Sequence, residues 1–190
     1  MTQELWDREA GSFDDEPDHG LADPLTRAAW RDLLLGVLAP PPARIADLGC
    51  GTGTLARLLS DEGYNVDGLD LSPAMIQRAR AKLPGGRFAI GDASDPALEA
   101  SAYDVVLSRH VLWAMPDPEA AIGRWVRLLA PGGTLVLVEG SWATGAGLPA
   151  DECLRIVRTA RAEAEVRPLP DPVLWGKEIS DERYLLVSLA

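Results

Sequence analysis

Ile45-Ala46-Asp47-Leu48-Gly49-Cys50-Gly51-Thr52-Gly53-Thr54-Leu55-Ala56 is the stretch that decides the fold. A buried-type strand runs directly into a glycine turn, and the turn runs directly into a helix. Gly49, Gly51 and Gly53 stand at every second position. Glycine tolerates φ > 0 and leaves no side chain between backbone and ligand. Such a turn lets a nucleoside-bearing ligand lie against bare peptide groups at a helix N-terminus. The dinucleotide fingerprint G-x-G-x-x-G would put its third glycine at position 54, which is Thr54. Asp47, two residues before the first glycine, is also foreign to that fingerprint.

Outward from this turn the chain alternates strand-type and helix-type segments. Upstream, Leu25 to Leu38 has helical apolar spacing, and Pro40-Pro41-Pro42 ends it. Downstream, a helix is predicted over 52–62 with Gly63 as its stop, then a mostly buried strand over 65–71. Ser72 is a good N-cap and Pro73 suits the first helical position, so a helix is predicted to about Leu83. Strands are predicted over 87–90, 103–108 and 134–139, with a helix over 118–129 broken by Pro131-Gly132-Gly133. Residues 148–165 are helical in character, and 166–169 and 183–189 read as the last strands. The first 23 residues are polar and acidic, with Trp6 and Phe13 as isolated anchors. This order implies an α/β, doubly wound, mostly parallel sheet with helices on both faces. In such sheets ligands sit at the carboxyl ends of the strands, at the switch point. That rule gathers Gly49–Gly53, Asp70, Asp92 and Ser108–His110 around one crevice.

Composition narrows the function classes. A chain of 190 residues is expected to form one domain. Its 47% hydrophobic and 25% charged residues are ordinary for a soluble globule. The net charge of −11 repels a polyanion over most of the surface, so no nucleic acid is expected as partner. Two cysteines, Cys50 and Cys153, build no disulfide framework and have no metal-ligand spacing, so no metal is expected. Cys50 reads as a small buried side chain within the turn. No apolar run approaches the roughly 18 residues of a membrane span, which makes a reduced, cytoplasmic setting the expectation.

Two acidic residues complete the constellation. Asp70 ends the second strand roughly twenty residues beyond the glycine turn, where a carboxylate can accept from both ribose hydroxyls. Its alternative role is chemistry at the N-terminus of the helix that begins at Pro73. Asp92, in Gly91-Asp92-Ala93, can accept from an exocyclic adenine amine, or simply form an Asx-turn at a strand end.

Taken in order, Asp47–Gly53, Asp70, Gly91-Asp92-Ala93, Tyr103–Ser108 and Leu129–Leu137 resemble the motifs of class I S-adenosylmethionine (SAM)-dependent methyltransferases. The resemblance covers residues 44–139, a cofactor-binding core. It implies a Rossmann-like, seven-stranded sheet whose last strand is antiparallel, with SAM as cofactor and S-adenosylhomocysteine as product. It implies that Asp47 and the turn residues Gly49, Cys50, Gly51 and Gly53 face the methionine part of SAM. Asp70 would take the ribose and Asp92 the adenine, with Leu69, Leu71 and Ala93 walling the adenine pocket. Ser108, ending the fourth strand, is counted with these contacts. Leu5-Trp6-Asp7 and Phe13 to Gly20 resemble the N-terminal lid of small bacterial methyltransferases, which makes residues 1–30 a lid and 141–190 the substrate side.

Methyl transfer from a sulfonium is an in-line displacement, so alignment supplies much of the rate. A base is needed only where the acceptor must lose a proton. His110, after the fourth strand, is the first candidate, since histidine titrates near neutrality. His19, in the lid, is the second. Arg109 suits an acidic substrate group, and Trp113, Trp142 and Trp6 suit a planar or apolar one. Trp125, inside a predicted helix, reads as core. The expected partner is therefore a small-molecule substrate, and the protein a monomer or homodimer. The same residues also admit a methyltransferase-like fold doing non-methyl chemistry, or an accessory subunit that holds SAM without turnover.

Overall fold

Alternation along each strand sends side chains to opposite faces, and here both faces are apolar. In β1 (Arg44–Leu48), Ile45 joins one core cluster while Ala46 and Leu48 join the other. The computed structural model describes residues 2–189. The remaining strands are β2 (Asn65–Asp70), β3 (Arg87–Ile90), β4 (Tyr103–Arg109), β5 (Leu129–Ser141), β6 (Glu165–Pro168) and β7 (Glu182–Ser188). They form one seven-stranded sheet in the order β3-β2-β1-β4-β5-β7-β6. Strands β1 to β5 pair in parallel, and β7 runs antiparallel to both β5 and β6. The expected doubly wound α/β sheet with an antiparallel last strand is what forms. The order reverses between β1 and β4, which places the switch point beside the glycine turn.

Helices α3 (Pro24–Leu35), α4 (Thr54–Asp61) and α5 (Pro73–Lys82) cover one face, through Trp30, Leu34, Leu58, Leu59 and Ile76. Helices α6 (Pro118–Leu128) and α7 (Ala150–Val157) cover the other, through Ile122, Trp125, Ile156 and Val157. Trp125 is fully buried, and its indole N–H donates to the Ala93 carbonyl at 2.7 Å. The N-caps are the ones these residue types favour. Asp23 accepts from Thr26 N–H, Ser72 from Met75 N–H and Asp117 from Ala120 N–H. Each such cap contributes about 1 kcal/mol.

Several segments differ from the sequence expectation. The helix expected over 148–165 stops at Val157. Beyond it the chain turns back and enters β6 at Glu165, because β7 needs an antiparallel partner on its outer edge. The strand expected over 134–139 is longer. Its register with β4 is irregular around Pro131-Gly132-Gly133, where Gly132 takes φ +81°, so those residues interrupt the pairing without ending the strand. The acidic N-terminal stretch folds into α1 (Gln3–Glu9), a 3₁₀ turn at Phe13–Asp15 and α2 (Pro17–Gly20). A short helix α8 (Pro172–Trp175) was not legible in the sequence, and its Leu174 carbonyl accepts the Trp30 indole N–H at 2.6 Å. No helix among the described residues is long and apolar enough to cross a membrane.

Candidate active site

The glycine turn is built by backbone that other residues could not supply. Gly49 has φ +73° and Gly51 φ +54°. A Cβ on Gly49 would lie 2.3 Å from a Val111 methyl, so the turn packs directly on the segment after β4. Gly49 and Cys50 donate their N–H groups to the Leu69 carbonyl at 2.7 and 3.0 Å. Gly51 donates to Asp70 Oδ2 at 2.9 Å, and Ser72 donates to Asp70 Oδ1 at 2.9 Å. Each Asp70 oxygen thereby keeps a lone pair for a ligand. Burial raises the Asp70 pKa against these two backbone bonds. Asp47, at the end of the same crevice, is buried with Oδ2 unpartnered, and burial pushes its carboxyl up to about 7.

A cavity of about 580 Å³ opens over the carboxyl ends of the strands, a size suited to a small-molecule site. Asp47, Gly49, Cys50, Gly51 and Asp70 form its floor on the β1–β2 side. Leu71, Asp92 and Ala93 extend the same wall. Asp92 Oδ1 accepts the Ser94 N–H at 2.7 Å, which makes an Asx-turn at the end of β3. The Cys50 thiol is held well above its ordinary pKa by burial and by Asp47 and Asp70, which leaves it an inert wall group.

Arg109, His110, Trp113 and Trp142 line the opposite side. His110 takes φ +58°, an uncommon backbone for a non-glycine residue. It is held there from both sides. Its N–H donates to the Val138 carbonyl at 2.8 Å, and its carbonyl accepts the Trp113 indole N–H at 2.9 Å. The next two N–H groups, of Val111 and Leu112, both donate to Glu139 Oε1 at 2.9 and 2.7 Å. Glu139 is fully buried, and burial pushes its carboxyl up to about 8. The His110 ring stands edge-on to Trp142 and stacks on Trp175, and its Nε2 is buried without a partner. Burial, with Arg109 and Arg183 beside it, holds the imidazole well below its ordinary pKa of 6.5 and therefore neutral.

The N-terminal segment closes the top. Trp6, Phe13 and His19 line the cavity, and His19 stacks on Phe13 with ring centroids 4.3 Å apart. Asp14 anchors this segment to the turn, accepting from Thr52 Oγ1 at 2.5 Å and Lys82 Nζ at 3.0 Å. Asp7 anchors it to α5, accepting from Ser72 Oγ at 2.5 Å and Ala74 N–H at 3.2 Å.

Three expected cofactor contacts lie off the cavity wall: Leu69, whose side chain is buried in the core, Gly53 and Ser108. Gly53 is the N-cap of α4, where a Cβ would meet Ala79 at 2.8 Å, so its bareness serves the packing of α4 on α5. Ser108 is fully buried and donates to the Leu48 carbonyl at 2.9 Å, tying β4 to β1. Conversely, Trp175, Lys177, Ile179 and Arg183 line the cavity from the α8–β7 segment, and the sequence carried no signal for them beyond late position in the chain. Asp18 and His19, adjacent in the N-terminal segment, and the distant His110 bring ligand-type atoms within 4.8 Å of one another. The guanidinium charges of Arg109 and Arg183 act on the same imidazole and oppose a divalent cation there.

Residues 46–137 match the family model of a methyltransferase domain. The 46–137 core is a class I S-adenosylmethionine-dependent methyltransferase domain. The chain is 39% identical over 117 residues to the trans-aconitate 2-methyltransferase of Variovorax paradoxus, an alignment covering 60% of this chain and 45% of that one. The chain spans about half the length of the curated relatives it matches. Its fold is similar to that of a SAM-dependent methyltransferase from Thermotoga maritima described as a possible histamine N-methyltransferase. That likeness has a TM-score of 0.75 and 20% identity, over 99% of both chains. A geranyl diphosphate C-methyltransferase from Streptomyces coelicolor, solved with S-adenosylhomocysteine, shares the fold at a TM-score of 0.70 and 17% identity, over 85% of this chain and 78% of the other. SAM is the cofactor of the family, and the donor set fits it. The unpartnered Asp47 oxygen, the bare turn and the free lone pairs of Asp70 are groups that a cationic nucleoside sulfonium would satisfy.

Proposed function

We propose that the domain transfers the methyl group of SAM to a small-molecule acceptor held in this cavity, leaving S-adenosylhomocysteine. The observation that carries the reading is Asp70, which braces the glycine turn through Gly51 while keeping lone pairs for ribose hydroxyls. When bound, SAM supplies an electrophilic methyl group open to in-line attack. Asp47 pairs with the ammonium of the cofactor's amino-acid part. Asp92 accepts from the adenine amine, with Leu71 and Ala93 against the ring. Trp113 and Trp142 wall the acceptor, and the Trp6–Phe13–His19 side excludes water. His110, neutral and with Nε2 free of a protein partner, accepts a proton where the acceptor carries one. The compact cavity, the acidic chain and similarity to relatives named for methylating trans-aconitate support a small acceptor over a nucleic acid.

The test is transfer of labelled methyl from SAM into a host extract, fractionated into small molecules, nucleic acid and protein, with S-adenosylhomocysteine followed in the same tubes. Label in the small-molecule fraction is expected. Label in a macromolecular fraction would overturn the acceptor class. SAM binding without transfer to any fraction would favour a cofactor-holding protein of this fold.

A further inference from the structure

The strand ends that line the cavity are electrically divided, while Glu16, Asp18 and Lys177 reach it from the N-terminal and α8–β7 segments. Asp47, Asp70 and Asp92 stand on its β1–β2–β3 half. Arg109, the last residue of β4, and Arg183, on β7, stand on the other half. The acidic half suits a cofactor carrying a sulfonium and an ammonium. The basic half has to serve something else.

Arg109 is the decisive residue. Among the described residues it forms no direct ion pair, although the carboxylates of Asp18, Asp47 and Asp14 are near enough to act on its charge. Its one protein hydrogen bond runs from Nη1 to the Asp18 backbone carbonyl at 2.6 Å, and its guanidinium rests 5.0 Å over the Trp30 ring. A guanidinium has five donor N–H groups, so most of those of Arg109 remain for a ligand in the cavity. Arg183 is paired with Asp181 at 2.8 Å and lies over the Trp142 and Trp175 rings, yet its buried Nε has no partner. Arg183 lies over Trp142 and Trp175, the two rings that the His110 ring contacts, and Arg109 is the chain neighbour of His110. Around that imidazole the wall is aromatic, with Trp113 and Trp142 at 5.4 Å between ring centroids. A neutral acceptor would leave the remaining guanidinium donors without a charged partner, since none of the nearby carboxylates bonds them directly. A carboxylate supplies the planar, two-oxygen partner that a guanidinium fork matches.

We propose that the methyl acceptor is a planar molecule bearing a carboxylate, held by Arg109 with the Nε of Arg183 as a second donor, its flat body against Trp113 and Trp142. This rests on the reading of the cavity as the methyl-transfer site. The cofactor carries a carboxylate of its own, so the experiment has to separate the two sources.

Calorimetric titration of the full chain saturated with S-adenosylhomocysteine would use indole-3-carboxylate and 2-naphthoate as probes, each against its primary amide. The acids are expected to bind about tenfold tighter than the amides, and R109Q to lose that preference while holding its S-adenosylhomocysteine affinity within about twofold. Equal binding of acid and amide, or no saturable binding of either acid at millimolar concentration, overturns the proposal. So does an unchanged preference in R109Q, or a loss in R109Q confined to S-adenosylhomocysteine affinity, which would assign the cation to the cofactor. Should R109Q not fold, R109K keeps the charge without the fork: a reduced preference supports the proposal and an unaltered one overturns it. Failure of the wild-type chain to bind S-adenosylhomocysteine at all is a different result, and it removes the methyltransferase reading itself.

Discussion

Asp70 Oδ2 accepts the Gly51 N–H at 2.9 Å, so the end of β2 is bonded into the turn that leaves β1. One carboxylate thus shapes the ligand turn and faces the ligand. Replacing it removes both effects. Asp70→Ala is expected to lower S-adenosylhomocysteine affinity by at least about tenfold and to destabilise the fold by about 1–3 kcal/mol, because two buried N–H groups lose their acceptor. Calorimetric titration and chemical denaturation of the same variant check the two effects. Unchanged affinity in a folded variant would remove Asp70 from the cofactor site.

Glu139 gives a prediction with a sign. Its carboxyl titrates near 8 in the folded protein against an ordinary 4.5. The native state therefore binds this proton more tightly than the unfolded chain. The stabilising contribution is complete below about 4.5 and is lost as pH rises through about 8. Asp47, raised to about 7, acts in the same direction. Glu139→Gln keeps an acceptor for Val111 and Leu112 and copies the neutral acid. It is expected to match the wild type in stability at low pH and exceed it by an amount on the order of a few kcal/mol above pH 8. Denaturation midpoints measured across that window decide. Parallel curves for the two proteins would show that the Glu139 pKa does not differ between the folded and unfolded states.

His110 occupies a left-handed backbone position, and asparagine tolerates that region better than most residues. His110→Asn is therefore expected to fold and to bind S-adenosylhomocysteine as the wild type does. Turnover of a hydroxyl or ammonium acceptor should fall by about a hundredfold, the usual share of a general base. For an acceptor already deprotonated, turnover should change little. Comparing the two acceptor types in single-turnover assays separates proton removal from mere support of the Trp113 and Trp142 wall.

The sheet and half the cavity were legible in the sequence because their signals are local. Asp47 to Gly53, Asp70 and Asp92 each end a strand, and strand ends converge by topology alone. Ser72 capping α5 was readable for the same reason, and it freed Asp70 for a ligand role. Arg109, His110, Trp113 and Trp142 were also named from the sequence, whereas the α8–β7 part of the wall depends on long-range packing. Arg183 and Trp175 reach the cavity only because β7 inserts beside β5 and α8 docks on α3, which no local pattern announces. Ser108 illustrates the converse. Its position at a strand end suggests a contact, but a hydroxyl pointing into the sheet bonds Leu48.

The N-terminal segment is joined to the site by a polar clasp, and that clasp can be cut without touching the cavity floor. Asp14 accepts from Thr52 and from Lys82, whose ammonium is half-buried and lowered in pKa chiefly by desolvation. A second constraint is steric: a Cβ on Gly20 would fall 2.1 Å from the Asp14 carbonyl oxygen, so the loop closes on itself tightly. Asp14→Ala leaves a half-buried lysine with no carboxylate and frees residues 10–20 from the turn. Limited proteolysis is expected to cut that segment faster, while cooperative unfolding of the sheet shifts by no more than about 2 kcal/mol. Dissociation of S-adenosylhomocysteine should quicken, with its association rate little changed, because a loosened cover shortens residence more than it alters encounter. Saturating S-adenosylhomocysteine should restore part of the protease resistance, since a ligand gripped by the closed segment stabilises it by mass action. If the segment is cut no faster, or ligand gives no protection, the Asp14 clasp does not hold a lid.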